Sequence, residues 1–191
     1  MKKNPEEKII LGIDPGTNIT GYGVIECAVK GPRLITLGII ELSRFRDHFL
    51  KIKHIFERTT GLIEAYHPDE LAIESPFYGK NIQSMLKLGR AQGAAISAAL
   101  SRSVPVFEYA PRKIKMSITG TGSASKEQVA SMLMSILNFR ENEIVLDATD
   151  ALAAALCHYY QANKPASSEK GYNSWKDFIS KNPGRVKKSG G

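Results

Sequence analysis

Ile9-Ile10-Leu11-Gly12-Ile13 is a nearly unbroken apolar run that ends on Asp14 and turns at once through Pro15-Gly16. Such a run, bounded by a turn, predicts a strand buried on both faces and therefore central in a sheet. Thr20 to Val29 and Leu34 to Leu42 predict a second and third strand, with Lys30-Gly31-Pro32 as the turn between them. Short connections of this kind make an antiparallel meander. From Asp47 to Tyr66 the apolar positions Phe49, Ile52, Ile55, Phe56, Leu62 and Ile63 follow a helical period, which His67-Pro68 ends. Glu70-Leu71-Ala72-Ile73-Glu74 is a short apolar strand that again closes on a carboxylate. A long helix from Lys80 to Arg102 is rich in Gly and Ala, small enough to admit another helix closely, within the subunit or from a second copy. Val104 to Tyr109 predicts a fifth strand with Pro105 near its start. A short helix over Ala110 to Ile118 and a loop at Gly120-Thr121-Gly122-Ser123 follow. Ser125 and Gln128 form a capping box for a helix to Leu137, and an alanine-rich helix runs from Asp147 to Tyr160.

A meander followed by alternating helices and strands predicts an α/β fold: a mixed five-stranded sheet in the order 3-2-1-4-5, strand 2 antiparallel, with helices on both faces. That is the ribonuclease H-like arrangement. It sets the end of strand 1 beside the end of strand 4, making Asp14 and Glu74 neighbours. Asp147 and Asp150, three apart at a helix start, project from one face of its first turn. Three of the acids have an ordinary reading, Asp14 as the opening of a Pro-Gly turn and Asp147 and Asp150 as helix-capping acids, whereas Glu74 closes an apolar strand without the excuse of capping a helix. Convergence of all four would instead demand cations. Four carboxylates without a Cys or His cluster are the ligand set of Mg²⁺ or Mn²⁺. Two such ions about 4 Å apart can clamp an in-line attack on a phosphodiester.

The 191 residues predict one nuclease-sized domain over residues 1–163 and a basic, disordered tail over 164–191. The tail carries seven Lys or Arg against two acids, so most of the net charge of +7 belongs to it and only +2 to the rest. It reads either as an aid to polyanion binding or as a solubilising extension. The basic residues of the core, Lys80, Lys87, Arg90, Arg112, Lys113, Lys115 and Lys126, are expected to share one face. No apolar run reaches the roughly 20 residues of a membrane helix, and the N-terminal charges precede no signal-peptide core. Cys27 and Cys157 form neither a disulfide framework nor a zinc spacing, which suits a reducing cytoplasm.

The runs Leu11-Gly12-Ile13-Asp14-Pro15-Gly16, Thr20-Gly21-Tyr22-Gly23-Val24, Ala72-Ile73-Glu74, Leu86-Lys87-Leu88-Gly89-Arg90-Ala91-Gln92-Gly93, Val106-Phe107-Glu108-Tyr109 and Asp147-Ala148-Thr149-Asp150-Ala151-Leu152-Ala153 resemble RuvC, the family of bacterial Holliday-junction resolvases. The likeness covers residues 8 to about 163 in order. It implies a homodimer that makes paired, symmetric nicks across a four-way junction in recombination and repair, leaving 5′-phosphate and 3′-hydroxyl ends. It places Asp14, Glu74, Asp147 and Asp150 on the family's metal-binding acids, with two Mg²⁺ per site and Mn²⁺ as a substitute. Some members carry His where Asp147 stands. Lys115 and Lys126 match basic residues that contact DNA near the scissile phosphate, and Phe77 matches an aromatic that stacks on bases at the junction centre. Tyr78, Lys80, Lys87 and Arg90 join these as expected DNA contacts, since rings interleaved with charge suit stacking and phosphate contact. By composition alone Phe77 and Tyr78 could equally be core aromatics. Pro76 directly after Ser75 is a departure that stiffens this loop. The family also implies the branch-migration motor of RuvA and RuvB as a partner, which no motif displays.

Two other classes compete. Asp14-Pro15-Gly16-Thr17 followed by Gly21 resembles the phosphate loop of actin-like ATPases and sugar kinases, but 191 residues leave no room for the second domain those require. A non-cleaving module of the same fold that grips branched DNA would lack one or more acids, and all four are present.

Overall fold

The computed structural model describes residues 8–75, 81–139, 146–163 and 179–180. The expected Phe77, Tyr78 and Lys80 contacts, and nearly all of the tail, lie outside the described residues. Five strands, β1 (Lys8–Asp14), β2 (Ile19–Ala28), β3 (Gly31–Glu41), β4 (Glu70–Glu74) and β5 (Val106–Tyr109), form one sheet in the order β3-β2-β1-β4-β5. β2 runs antiparallel to both its neighbours, while β1, β4 and β5 are parallel. The helices are α1 (His48–Tyr66), α2 (Ile82–Ser101), α3 (Pro111–Thr119), α4 (Lys126–Leu137) and α5 (Leu146–Ala162).

Side chains alternate across a strand, so each strand feeds two cores. Leu11, Ile13, Val24, Leu71 and Ile73 point to the face covered by α1 and α2. Ile10, Ile25, Ala72 and Tyr109 point to the face covered by α3, α4 and α5. The alanines of α2 are spent on the core: Ala91, Ala94, Ala95, Ala98 and Ala99 are buried. Cys27 and Cys157 are buried free thiols on the α5 side.

Local chemistry sets the boundaries. Asp47 caps α1, accepting from the Phe49 and Leu50 amides at 2.6 and 3.1 Å. His67 closes that helix in the left-handed region at φ 47°, and Pro68 prevents its continuation. Asn81 caps α2 through the Ser84 amide, and both halves of the Ser125–Gln128 capping box are formed at α4.

Two expectations at the strand ends are corrected. The β2–β3 connection is Val29-Lys30, with Gly31 (φ 118°) and Pro32 already paired in β3. β3 is an edge strand, where a missing proline donor is tolerated. β5 begins at Val106 rather than Val104, because the Val104 amide turns back to donate to the Ala99 carbonyl at the end of α2.

Candidate active site

Alternation also decides where the two strand-end acids project. Ile10, Gly12 and Asp14 occupy the α5 side of β1, as do Ala72 and Glu74 on β4. The β1–β4 register, Ile13 opposite Ile73, brings Asp14 and Glu74 level at the carboxyl edge of the sheet. The ends of parallel strands are where open α/β sheets present their sites.

α5 completes the constellation by lying unusually close to β1 and β2. A Cβ on Gly12 would stand 2.1 Å from the Ala151 carbonyl oxygen, and one on Gly21 only 2.0 Å from that of Asp147. Gly23 meets Leu152 Cα in the same way, at 2.8 Å. Gly12 pairs with Gly23 and Asp14 with Gly21, so the three glycines form one flat patch on which the helix rests. Sequence reading quoted these glycines without giving them a role. The available signal was three glycines sharing one face of two otherwise apolar strands.

Carboxylate oxygens of Asp14, Asp147 and Asp150 consequently lie within 4.8 Å of one another. Glu74 is outside that tight set but lines the same cleft of about 270 Å³, with Asp14 and Asp150 facing Lys115 and Lys126. Burial and crowding by like charge act together on Asp14 and Glu74. Burial first, then the fields of Glu74 and Asp150, push the Asp14 carboxyl up to about 8. Burial and the Asp150 charge push Glu74 up to about 7.

Lys126 answers part of this charge. Its ammonium is paired with Asp150 and stands 3.5 Å from Asp147. Burial opposes its charge, but the Asp150 hydrogen bond and the surrounding acids outweigh that and raise its pKa. Lys126 is the first residue of α4, so the capping box at Ser125 aims it. Lys115, on α3, donates to the Ala124 carbonyl at 2.8 Å and ties the loop before α4 to the cleft wall. A hard divalent cation fits this place: the donors are all carboxylate oxygens, and a cationic group already seats among them.

The remaining basic residues fall elsewhere. Lys87 and Arg90 are exposed on α2, while Arg112 and Lys113 are exposed on α3, against the opposite face of the sheet. The expected single basic face is therefore two groups, because α2 and α3–α4 pack on different sides. Lys113 instead stands over the Tyr109 ring, 5.1 Å from its centroid.

Residues 10–158 match the family model described as crossover junction endodeoxyribonuclease RuvC. The chain belongs to the RuvC family. A crossover junction endodeoxyribonuclease RuvC of Bacteroides fragilis is 61% identical over 184 residues, covering 95% of this chain and 97% of that relative. The Thermus thermophilus RuvC structure superposes with a TM-score of 0.72 at 33% identity, covering 81% of this chain and 95% of that one. T. thermophilus RuvC in complex with Holliday junction substrate matches equally, with a TM-score of 0.72, 31% identity and coverage of 81% and 94%. RuvC membership makes the acidic cleft the candidate nuclease centre and bears out the ribonuclease H-like expectation. Among the described residues no helix is long and apolar enough to cross a membrane.

Proposed function

We propose that this chain resolves Holliday junctions by metal-dependent hydrolysis of one phosphodiester in each of two opposed strands. The observation that carries this reading is the cluster of Asp14, Asp147 and Asp150, with Glu74 across the cleft, in a chain of the RuvC family. Asp14, Asp147, Asp150 and Glu74 would hold two Mg²⁺ ions, or Mn²⁺ in their place. Those ions, when bound, supply Lewis-acid activation of the attacking water and neutralise charge on the leaving oxygen. The carboxylates fix the site on two strands and one helix, so its geometry is set by the rigid core rather than by a loop. Lys115 at the cleft wall would hold the phosphate being cut, and Lys126 would contact that phosphate too once divalent cations took over its acids. The products are 5′-phosphate and 3′-hydroxyl ends, which a ligase can seal.

Symmetric nicking calls for a homodimer. α2 supports this, since Ile82 and Leu86 are exposed at 71% and 51% and, among the described residues, nothing beyond the helix's own backbone lies within 4 Å of a Cβ placed on Gly89 or Gly93. Phe77 and Tyr78 would stack on bases at the junction centre, with Lys80, Lys87 and Arg90 on flanking phosphates. The nuclease domain spans residues 1–163, residues 164–191 add non-specific DNA affinity, and the protein works in the cytoplasm with RuvA and RuvB.

Cleavage of a labelled mobile four-way junction and a matched linear duplex, with and without Mg²⁺, tests the reading. Metal-dependent, symmetric nicks confined to the junction are expected. Tight junction binding with no cutting at any metal concentration would mark a non-cleaving module.

A further inference from the structure

A second polar pocket lies on the other side of the turn that follows Asp14. It measures about 140 Å³ and is lined by Thr17, Asn18, Arg46, His48, Lys51 and Lys87. That volume is several times what one ordered water needs, room enough for a tetrahedral anion. Lys51 Nζ donates to the Thr17 carbonyl at 2.8 Å and to Asn18 Oδ1 at 3.0 Å. An ammonium has three donors, so one remains for a ligand. His48 Nε2 is buried and has no hydrogen-bond partner among the described residues, a costly state for a polar nitrogen. Asp47, directly before His48, is committed to the helix end: its Oδ1 accepts from the Phe49 and Leu50 amides. The amino end of α1 is thus already compensated by the Asp47 carboxylate, so the positive character of the pocket comes from its side chains rather than from the helix end.

We propose that this pocket seats a backbone phosphate of a junction arm, distinct from the phosphate being cut, with Arg46, His48, Lys51 and Lys87 as its cationic and donor lining. The proposal rests on the reading of the chain as a junction nuclease. Positive character is independently felt at His48: burial, then the charges of Arg90, Lys87 and Lys51, hold its pKa below the ordinary value. A fixed anion suits that field, and the phosphate lattice of a DNA arm offers one at every nucleotide. The Lys51 tether runs to the turn only three residues past Asp14. A phosphate held here would therefore register the arm against the cutting centre.

The test measures binding of the full chain, in EDTA, to a fluorescent four-way junction across a salt series. Junctions carrying one neutral methylphosphonate linkage, moved stepwise along each arm, locate the contact. At one linkage the wild type loses affinity and its plot of log K against log salt flattens by about 0.9, the loss of one phosphate contact. Arg46→Ala/Lys87→Ala shows the same flattening on the unmodified junction and no further loss at that linkage. Both residues are exposed, so the fold should withstand the change, and Arg46→Gln alone carries the same test if it does not. A double variant with the wild-type slope, or with the wild-type loss at every linkage, overturns the pocket. A wild type that binds junction no better than duplex sinks the reading of function instead. The linkage scan on duplex then decides the pocket by the same criterion.

Discussion

β4 begins and ends with glutamate, and the protein treats the two in opposite ways. Glu70, at the amino edge, has both carboxylate oxygens engaged: Lys8 donates to one at 2.8 Å and His158 Nε2 lies 2.9 Å from the other. His158 Nδ1 reaches the Tyr109 hydroxyl at 2.6 Å, and Phe107 stacks on its ring at 4.3 Å. Burial alone would raise Glu70, but the Lys8 and His158 hydrogen bonds win and its pKa is lowered. Glu74, four residues on, faces Asp150 and is raised to about 7. A satisfied carboxylate is architecture. One held against other carboxylates waits for a ligand, and the divalent-cation reading of the cleft follows from that contrast.

The contrast predicts a split between activity and stability. Asp14→Asn should lower junction cleavage by about 10³-fold or more, because several kcal/mol of metal-derived stabilisation go with one ligand. Metal-free junction binding should stay within a few-fold of wild type, and single-turnover cleavage beside an EDTA binding isotherm reads both. Loss of binding in a folded variant would count against a metal role.

His158→Ala attacks the opposite edge. It should cost about 3 kcal/mol of stability by leaving one Glu70 oxygen and the Tyr109 hydroxyl without a partner, while the cleavage rate of the folded fraction changes far less. Urea unfolding and cleavage at a permissive temperature separate the two. Gly12→Ala couples the edges: its methyl would press on the Ala151 carbonyl, lifting α5 and the Asp147–Asp150 pair from Asp14. A stability loss of about 2 kcal/mol is expected from the overpacking. Unlike His158→Ala, this loss should come with impaired cleavage at every temperature.

pH sharpens the same comparison. Folding raises Asp14 to about 8 and Glu74 to about 7, so the metal-free fold is penalised increasingly as pH climbs from the ordinary carboxylate range to those values. Glu70 acts oppositely, its contribution being present at neutral pH and lost only as acid titrates its lowered pKa. In EDTA the Tm should therefore fall by several degrees between pH 5 and pH 8, and Mg²⁺ should restore it at pH 8. A flat profile would remove the electrostatic argument for the cleft. Smallest of all, deleting residues 164–191 should weaken junction affinity at low salt without moving the cut. An unchanged salt series would make the tail a solubiliser.

Strand order, both strand-end acids and three of the helix boundaries were legible in the chain because each rests on local chemistry. Alternation places Asp14 and Glu74, Asp47 and the Ser125–Gln128 pair cap their helices, and His67-Pro68 ends one. The true β2–β3 turn and the late start of β5 were not, since edge pairing and the Val104–Ala99 hydrogen bond depend on neighbours distant in sequence or folded back upon it. Four acids of the right type stand in the sequence, but Asp14, Asp147 and Asp150 each have an ordinary local explanation. Only the folded chain brings three of them within 4.8 Å, because Gly12, Gly21 and Gly23 let α5 settle on the sheet, and a backbone distance across three elements has no local signature. The same holds for the pocket at His48 and Lys51. Residue types were written in the sequence, whereas which charges meet, and whether they are satisfied on meeting, was decided by packing.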